Sequence, residues 1–250
     1  MPYGLYLSAE GAHAQSRRME VVANNLANVD TVGFKRDLAV FQARMAEETA
    51  QGRDYFGSGS INDVGGGIAV RESKTDFSMG PLRHTGSTTD MAIDGEGFFL
   101  VEKGDQQLLT RAGNFRLTAK GELVTQQGYR VLNESGAAVT LDPAAGPFDI
   151  TEGGVIRQAG SSQTLALVRP AAPGDLVKTG ENLFRPLTDP RPVPAAERRV
   201  AVGFLEGSGV KPTSEMIELI EASRAIEANV NMMQTQDQML SGLVTRLMRS

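Results

Sequence analysis

The sequence predicts an α+β protein. Long helices at the two ends of the chain pair as a coiled-coil-like domain, and the residues between them in the sequence form a central antiparallel β-domain. Residues 213–250 contain no proline, have no glycine before Gly242, and repeat apolar or small residues at alternating steps of three and four. From Ile68 to about Phe204 that period is lost, and short β-branched or aromatic runs alternate with turn residues about every 8–12 residues.

The N-terminal segment is also predicted to be an amphipathic helix. Gly11 weakens its interior by about 1 kcal/mol relative to alanine, so the helix is marginal alone and needs a partner. Its apolar seam consists of Leu5, Ala12, Met19, Val22, Leu26 and Val29. The asparagines Asn24, Asn25 and Asn28 favour a helix end, because their amides bond the local backbone.

The next segments predict a change of structure. A short helix capped by Asp37 is expected to carry Leu38, Phe41 and Met45 on one face and to end before Gly52. The glycine- and serine-rich residues that follow indicate a flexible linker. The predicted organisation is therefore a helical terminal domain of residues 1–51 and 206–250, a linker at 52–67, and a β-rich outer domain at 68–205.

The β-domain is predicted from its individual strands. These are Phe98–Glu102, Leu108–Arg111, Phe115–Thr118, Leu123–Thr125, Tyr129–Leu132, Ala138–Leu141, Thr164–Val168 and Val200–Leu205. Glycine-containing turns separate several of them, which is typical of antiparallel hairpins.

The C-terminal helix is expected to begin at Pro212 and Thr213, with Arg246 and Arg249 complementing the helix dipole in its last turn. Its seam consists of Met216, Leu219, Ser223, Ile226, Val230, Met233, Leu240, Val244 and Leu247, interrupted by Asp237. Other apolar residues lie farther round the helix, so more than one face needs a partner.

No catalytic, cofactor or metal site is predicted. The chain has no cysteine, two histidines and a net charge of −5 without a basic run, so thiol chemistry and a nucleic-acid footprint are missing. Asp90, Asp94 and Glu96 lack EF-hand spacing and are assigned to turns. No signal peptide or apolar run of roughly 18 residues is evident in the sequence.

Several motifs carry a family resemblance. Ala-Asn-Asn-Leu-Ala-Asn at 23–28 and Gly-Phe-Lys-Arg at 33–36 resemble the N-terminal motif of bacterial flagellar axial proteins. Residues 76–86, 90–99 and 110–115 are similar to the rod-protein consensus. Residues 205–210 and 227–229 are also similar to it, although Gly209 replaces an asparagine and Ile226 an aromatic residue.

This resemblance implies a flagellar basal-body rod protein, a structural subunit rather than an enzyme. It implies that the terminal helices form an inner tube, that copies and other rod proteins are the partners, and that contact with surrounding rings is an open question. It also implies a periplasm-spanning location, export without a cleaved signal peptide, and no direct membrane insertion. Chain length favours a proximal over a distal rod protein, and a cytoplasmic coiled-coil adaptor with a β-sheet binding module is the alternative.

The hypothesis places assembly contacts on both terminal helices. The N-terminal set is Leu5, Met19, Val22, Asn24, Asn25, Leu26, Asn28 and Val29, and the C-terminal set is Met216, Leu219, Ile226, Val230, Met233, Leu240 and Leu247. In the free monomer both termini are expected to be largely disordered and to fold on assembly.

Overall fold

The computed structural model describes residues 2–45, 47–55, 57–59 and 65–248, and it confirms the α+β class. Part of the predicted linker (residues 56 and 60–64) and the helix-end residue Arg249 lie outside the described residues. The chain forms two compact units. The first consists of Met1–Ala27, Arg36–Asp76 and Lys211–Ser250, and the second of Asn28–Lys35 and Phe77–Val210.

The first unit combines helices from both ends of the chain with a β-ribbon. Its elements are α1 (Pro2–Ala27), β1 (Asp37–Ala43), α2 (Glu47–Ala50), β2 (Ile68–Thr75) and α3 (Pro212–Leu247). Helices α1 and α3 pack against each other, and the antiparallel β1–β2 ribbon packs against α1. Among the described residues no helix is long and apolar enough to cross a membrane.

The short helix predicted after Asp37 is wrong, because this segment is strand β1. The register of β1 with β2 shifts between Val40 and Phe41, which marks a β-bulge. A bulge inserts one residue and breaks the strand alternation. Leu38 and Phe41 therefore line the same side of the strand although they are three residues apart, and that spacing resembles one face of a helix.

The second unit is built from short antiparallel strands. They are β3 (Leu82–His84), β4 (Met91–Ile93), β5 (Phe98–Lys103), β6 (Gln106–Thr110), β7 (Arg116–Leu117), β8 (Leu123–Val124), β9 (Arg130–Val131), β10 (Asp149–Ile150), β11 (Val155–Gln158), β12 (Ser161–Thr164), β13 (Leu167–Arg169), β14 (Leu176–Gly180), β15 (Leu183–Pro186), β16 (Arg191–Pro192), β17 (Val200–Val202) and β18 (Phe204–Glu206).

The largest sheet has the order β14-β15-β6-β5-β9-β8-β7, and β13 joins it through β5 and carries β16. Strands β10-β11-β12 form a separate sheet, and β17 pairs with β4 and β18 with β3. The predicted strand at Ala138–Leu141 is replaced by isolated bridges, which join Leu132 to Ala138 and Glu122 to Thr140.

Strand β5 lies at the centre of the apolar core. Phe99 and Val101 belong to one buried cluster, while Phe98 and Leu100 belong to a second. Successive side chains of a strand point to opposite faces, so β5 is covered on both sides. Its near-continuous apolar run is the sequence pattern of such a strand.

Candidate assembly interface

Helices α1 and α3 run antiparallel, and two glycines of α1 face amide side chains of α3. A Cβ atom on Gly4 would lie 2.9 Å from Nε2 of Gln236, and one on Gly11 would lie 2.9 Å from Oδ1 of Asn229. The two contacts are seven residues apart on each helix. A methyl group added at either glycine would have to displace the flexible amide side chain that faces it.

The face of α3 that meets α1 combines a polar row with an apolar row. At seven-residue spacing the first row contains Glu215, Ala222, Asn229 and Gln236, and its first two members are completely buried. Between them lies a second row, whose members are half-buried: Leu219, Ile226, Met233 and Leu240. The contact between the terminal helices is therefore only partly apolar.

The buried side chain of Asn25 joins three segments of the first unit. Its Nδ2 donates to the carbonyl oxygen of Asp37 at 2.8 Å and to Oε2 of Glu215 at 3.2 Å. Its Oδ1 accepts from the backbone N–H of Asp37 at 2.9 Å. One amide thus ties the end of α1 to the start of β1 and to the first turn of α3.

An ion-pair network surrounds this amide. Arg36 donates through Nε to Oε1 of Glu215 at 2.5 Å and through Nη2 to Oε1 of Glu218 at 2.8 Å. Arg18 also donates to Glu218, at 3.4 Å. Burial acts to lower the pKa of Arg36, but hydrogen bonds and charges from Glu215 and Glu218 outweigh it, so the pKa is raised.

A second buried network lies in the second unit. Lys35 donates from Nζ to Oε1 of Glu206 at 2.6 Å and to the carbonyl oxygen of Ser78 at 2.8 Å. The same Oε1 accepts the backbone N–H of Gly80 at 3.0 Å, and Oε2 accepts Nη1 of Arg111 at 3.2 Å. Both cations and the carboxylate are almost fully removed from water, so each depends on the others.

Burial has the largest influence on the pKa of Arg111. Burial lowers the pKa of Arg111, and the charge and hydrogen bond of Glu206 offset that effect only in part. Its Nη2 donates to the carbonyl oxygen of Gly95 at 2.7 Å, and its guanidinium lies 5.2 Å from the centre of the Phe98 ring.

Gly33 makes a close backbone approach in this second unit. Its φ is +67°, and an added Cβ would lie 2.6 Å from the carbonyl carbon of Arg111. Its N–H donates to the carbonyl oxygen of Glu206 at 2.7 Å. Only glycine adopts this conformation without strain and leaves room for the neighbouring backbone.

The Gly-Phe-Lys-Arg motif therefore serves internal structure in both units. Lys35 is bonded within the second unit and the adjacent Arg36 within the first. The sequence showed the motif and placed Glu215 at the start of the last helix, where it complements the helix dipole, but no buried ion pair was predicted for Lys35, Arg36, Glu206 or Glu215. The available clue was the presence of opposite charges inside the N-terminal and C-terminal motifs.

The predicted N-terminal residues differ in their exposure. Val22 and Asn25 are buried, Asn24 is exposed, and the remaining ones are half-buried: Leu5, Met19, Leu26, Asn28 and Val29. Asn28 and Val29 follow the end of α1 and belong to the second unit.

The predicted C-terminal residues differ in their exposure. Leu219, Ile226, Met233 and Leu240 are half-buried on the face that meets α1. Leu247 lies seven residues after Leu240 and continues this row, but it is exposed, as are Met216 and Val230. Val230 is 36% exposed and Met216 is 49% exposed. The exposed surface also contains Ile217, Ile220, Met232, Met239, Leu243 and Val244. So many large apolar side chains left exposed on one helix indicate a surface for protein–protein contact.

Among the described residues, no group of three or more histidine, cysteine or acidic side chains is arranged to hold a metal ion. The features of this site are helical packing, buried ion pairs and exposed apolar surface.

Comparison with known proteins gives three matches to family models along the chain. Residues 5–35 match a flagella basal body rod protein model, and residues 92–158 match the D1 domain of the flagellar hook protein FlgE/F/G family. Residues 201–246 match the C-terminal model of the flagellar basal body rod FlgEFG proteins.

Full-length relatives agree with these matches. The chain is 34% identical to the flagellar basal-body rod protein FlgF of Caulobacter vibrioides, over 99% of this chain and 98% of the relative. It is 33% identical to the rod protein FlgG of Bacillus subtilis, over 96% and 97% of the two chains. It is 30% identical to FlgG of Borreliella burgdorferi, over the full length of both.

Proposed function

This chain belongs to the flagellar basal-body rod protein family, and from that premise we propose that it is a structural subunit of the rod that polymerises through α1 and α3. The proposal rests on the exposed apolar surface of α3. Many large apolar side chains of α3 lie outside its contact with α1 and are exposed, so they are available to contact other molecules.

The packed terminal helices would transmit torque along the rod. Each copy would contact its neighbours through two different surfaces, since a heterologous contact that does not close produces a helical polymer. The buried ion pairs of Glu206 and Glu215 would hold each subunit in one conformation under load.

Within the rod we propose the proximal position and a location that spans the periplasm, reached without a cleaved signal peptide. The short central region supports this choice, because residues 77–210 leave little chain for further outer domains. The distal position is the alternative within the same family.

The deciding experiment is electron cryotomography of basal bodies in a strain that lacks the gene. A rod that stops short and carries no hook is the expected result, and its stopping height distinguishes the proximal from the distal position. Complete basal bodies with filaments, in a strain without a second copy of the gene, would reject the rod function.

Size-exclusion chromatography with light scattering tests the adaptor alternative. A rod subunit is expected to elute as a monomer when dilute and to form higher polymers when concentrated. A stable dimer held by the terminal helices, together with retention in the cytoplasm, would favour the adaptor.

A further inference from the structure

The last residues of α3 extend beyond their contact with α1. Helix α3 meets Gly4, near the start of α1, at Gln236 and then continues to Leu247. We define residues 239–247 as the overhang, a segment about 13 Å long at 1.5 Å per residue. Leu240 is half-buried, but the other apolar side chains of this segment remain largely in solvent, and Leu247 is 74% exposed.

A pocket of about 330 Å³ lies near the other end of the same helix pair. We call it the notch. Its apolar lining includes Val22 of α1 and Leu38 and Phe41 of β1, and its charged lining includes Arg36 and Glu218. The two β1 side chains are each 37% exposed, so the notch offers apolar surface that the subunit itself does not cover.

The overhang cannot fill the notch of its own chain. Glu218 borders the notch, and 21 residues of continuous helix separate it from residue 239. At 1.5 Å per residue this places the two features roughly 30 Å apart along a rigid helix. An overhang that occupies the notch therefore comes from another molecule.

One charge pair fits between the two surfaces, beside a notch that is lined by both cationic and anionic side chains. Arg246 lies in the last turn of the overhang and makes no ion pair with any described residue. Glu221 lies 3.8 Å from Arg18, which lines the notch, and the Glu221 side chain is 62% exposed. An incoming Arg246 would thus meet a solvent-accessible carboxylate beside an apolar pocket.

We propose that the overhang of one copy docks in the notch of the next copy, with Leu243 and Leu247 against Leu38 and Phe41. Both surfaces belong to one chain and differ from each other, so the contact is heterologous and repeats without closing. This inference rests on the proposed rod function, because it specifies the neighbour that the terminal helices contact.

The test uses the natural absence of cysteine in the chain. The double variant Leu247→Cys with Leu38→Cys is expressed from its own locus, and intact basal bodies are treated with a mild oxidant. A disulfide forms only when the two Cβ atoms come within about 3.5–4.5 Å. The expected result is a ladder of dimers and larger species on a non-reducing gel, which collapses on reduction.

The matched control is Met232→Cys with Leu38→Cys. Met232 is exposed on the same helix but lies outside the overhang, so no ladder is expected. An equal ladder in the control would overturn the docking geometry. A disulfide to a different rod protein, identified by mass spectrometry, would likewise overturn the choice of a second copy.

A charge exchange covers the case in which the cysteine variant does not assemble. Arg246→Glu and Glu221→Arg are each expected to reduce swimming, and their combination is expected to restore it. Two singles without effect, or a double without restoration, would contradict the contact. Basal bodies that contain the protein but give no ladder would reject this inference alone, whereas absence of the protein from basal bodies would reject the rod function as well.

Discussion

The two units of this chain bury apolar surface to different extents. In the second unit, Phe99, Leu109 and Phe184 are completely removed from solvent, and β5 is covered on both faces. In the first unit, the completely buried residues of α3 are Glu215 and Ala222, while Met216 and Val230 are exposed.

This difference teaches where each unit obtains its stability. The second unit has a complete core, so its stability is a property of the single chain. The first unit joins its helices through hydrogen bonds, ion pairs and close glycine contacts, and leaves apolar area that burial would stabilise at about 25 cal/mol per Å². We therefore expect contact with neighbouring molecules to increase the stability of the first unit.

The variant Val230→Asp gives the largest expected effect, which is complete loss of assembly. An unpaired charge at the proposed contact would have to be removed from water. The second unit should remain folded, because Val230 belongs to α3 in the first unit. Motility assays and basal-body purification measure the outcome, and Asn231→Asp is the control. Normal motility in Val230→Asp would contradict the assignment of this face.

Amide exchange of dilute full-length protein should separate the two units clearly. Peptides from α1 and α3 are expected to exchange rapidly, because their mutual contact is only partly apolar and leaves much of α3 exposed. Peptides from β5 and β6 are expected to remain protected. Strong protection along both terminal helices would show that they are ordered without neighbours.

Truncation of a core side chain in the second unit should lower the free energy of unfolding whether or not the protein assembles. Phe99→Ala is expected to lower the free energy of unfolding by about 3–5 kcal/mol, because Phe99 is completely buried. Urea unfolding followed by circular dichroism measures this change. The control Leu187→Ala, at a site 60% exposed, should change it by no more than about 0.5 kcal/mol.

The two buried carboxylates provide a matched comparison. Glu206→Gln leaves Lys35 and Arg111 without a buried counter-charge and should cost about 3–5 kcal/mol. Glu215→Gln should cost the monomer less, no more than about 1 kcal/mol, because the terminal helices are expected to be loosely ordered there and because Arg36 is partly solvated and retains Glu218. Urea titration with peptide-resolved amide exchange assigns each loss to its unit. Equal losses of stability in the two variants would contradict the expectation that Glu206 contributes more than Glu215.

The smallest expected effect is a pH dependence at Glu181. Hydrogen bonds from Lys103 and Tyr129 lower the pKa of Glu181 in the folded protein. Its contribution to stability is therefore present above the unfolded pKa and is lost as pH falls through the folded pKa. The pair is exposed, so the contribution is small. Carboxyl-carbon NMR titration should show the pKa rising in Tyr129→Phe, and an unchanged value would contradict this assignment.

The sequence was sufficient for the α+β class and for strands such as β5, whose apolar run is continuous. It was insufficient for β1, because the bulge at Val40 and Phe41 disguises the strand period. Hydrophobic periodicity also could not identify Asn229 and Gln236 as residues that meet α1. Both are polar, and the pattern method counts only apolar side chains.

The buried networks were beyond sequence reasoning for a different reason. Lys35 and Glu206 are separated by 171 positions, and nothing local indicates that they pair. Charged residues are ordinarily placed at the surface, so their complete burial is visible only in three dimensions.

The alternation of β5 between two apolar clusters implies an unequal tolerance to different kinds of genetic change. An apolar replacement at Phe98 or Leu100 alters the volume on one side of the sheet only. Deletion of a single codon would exchange the sides of all later residues in the strand and disturb both clusters together. In-frame insertions and deletions should therefore be eliminated in this strand even where many substitutions survive.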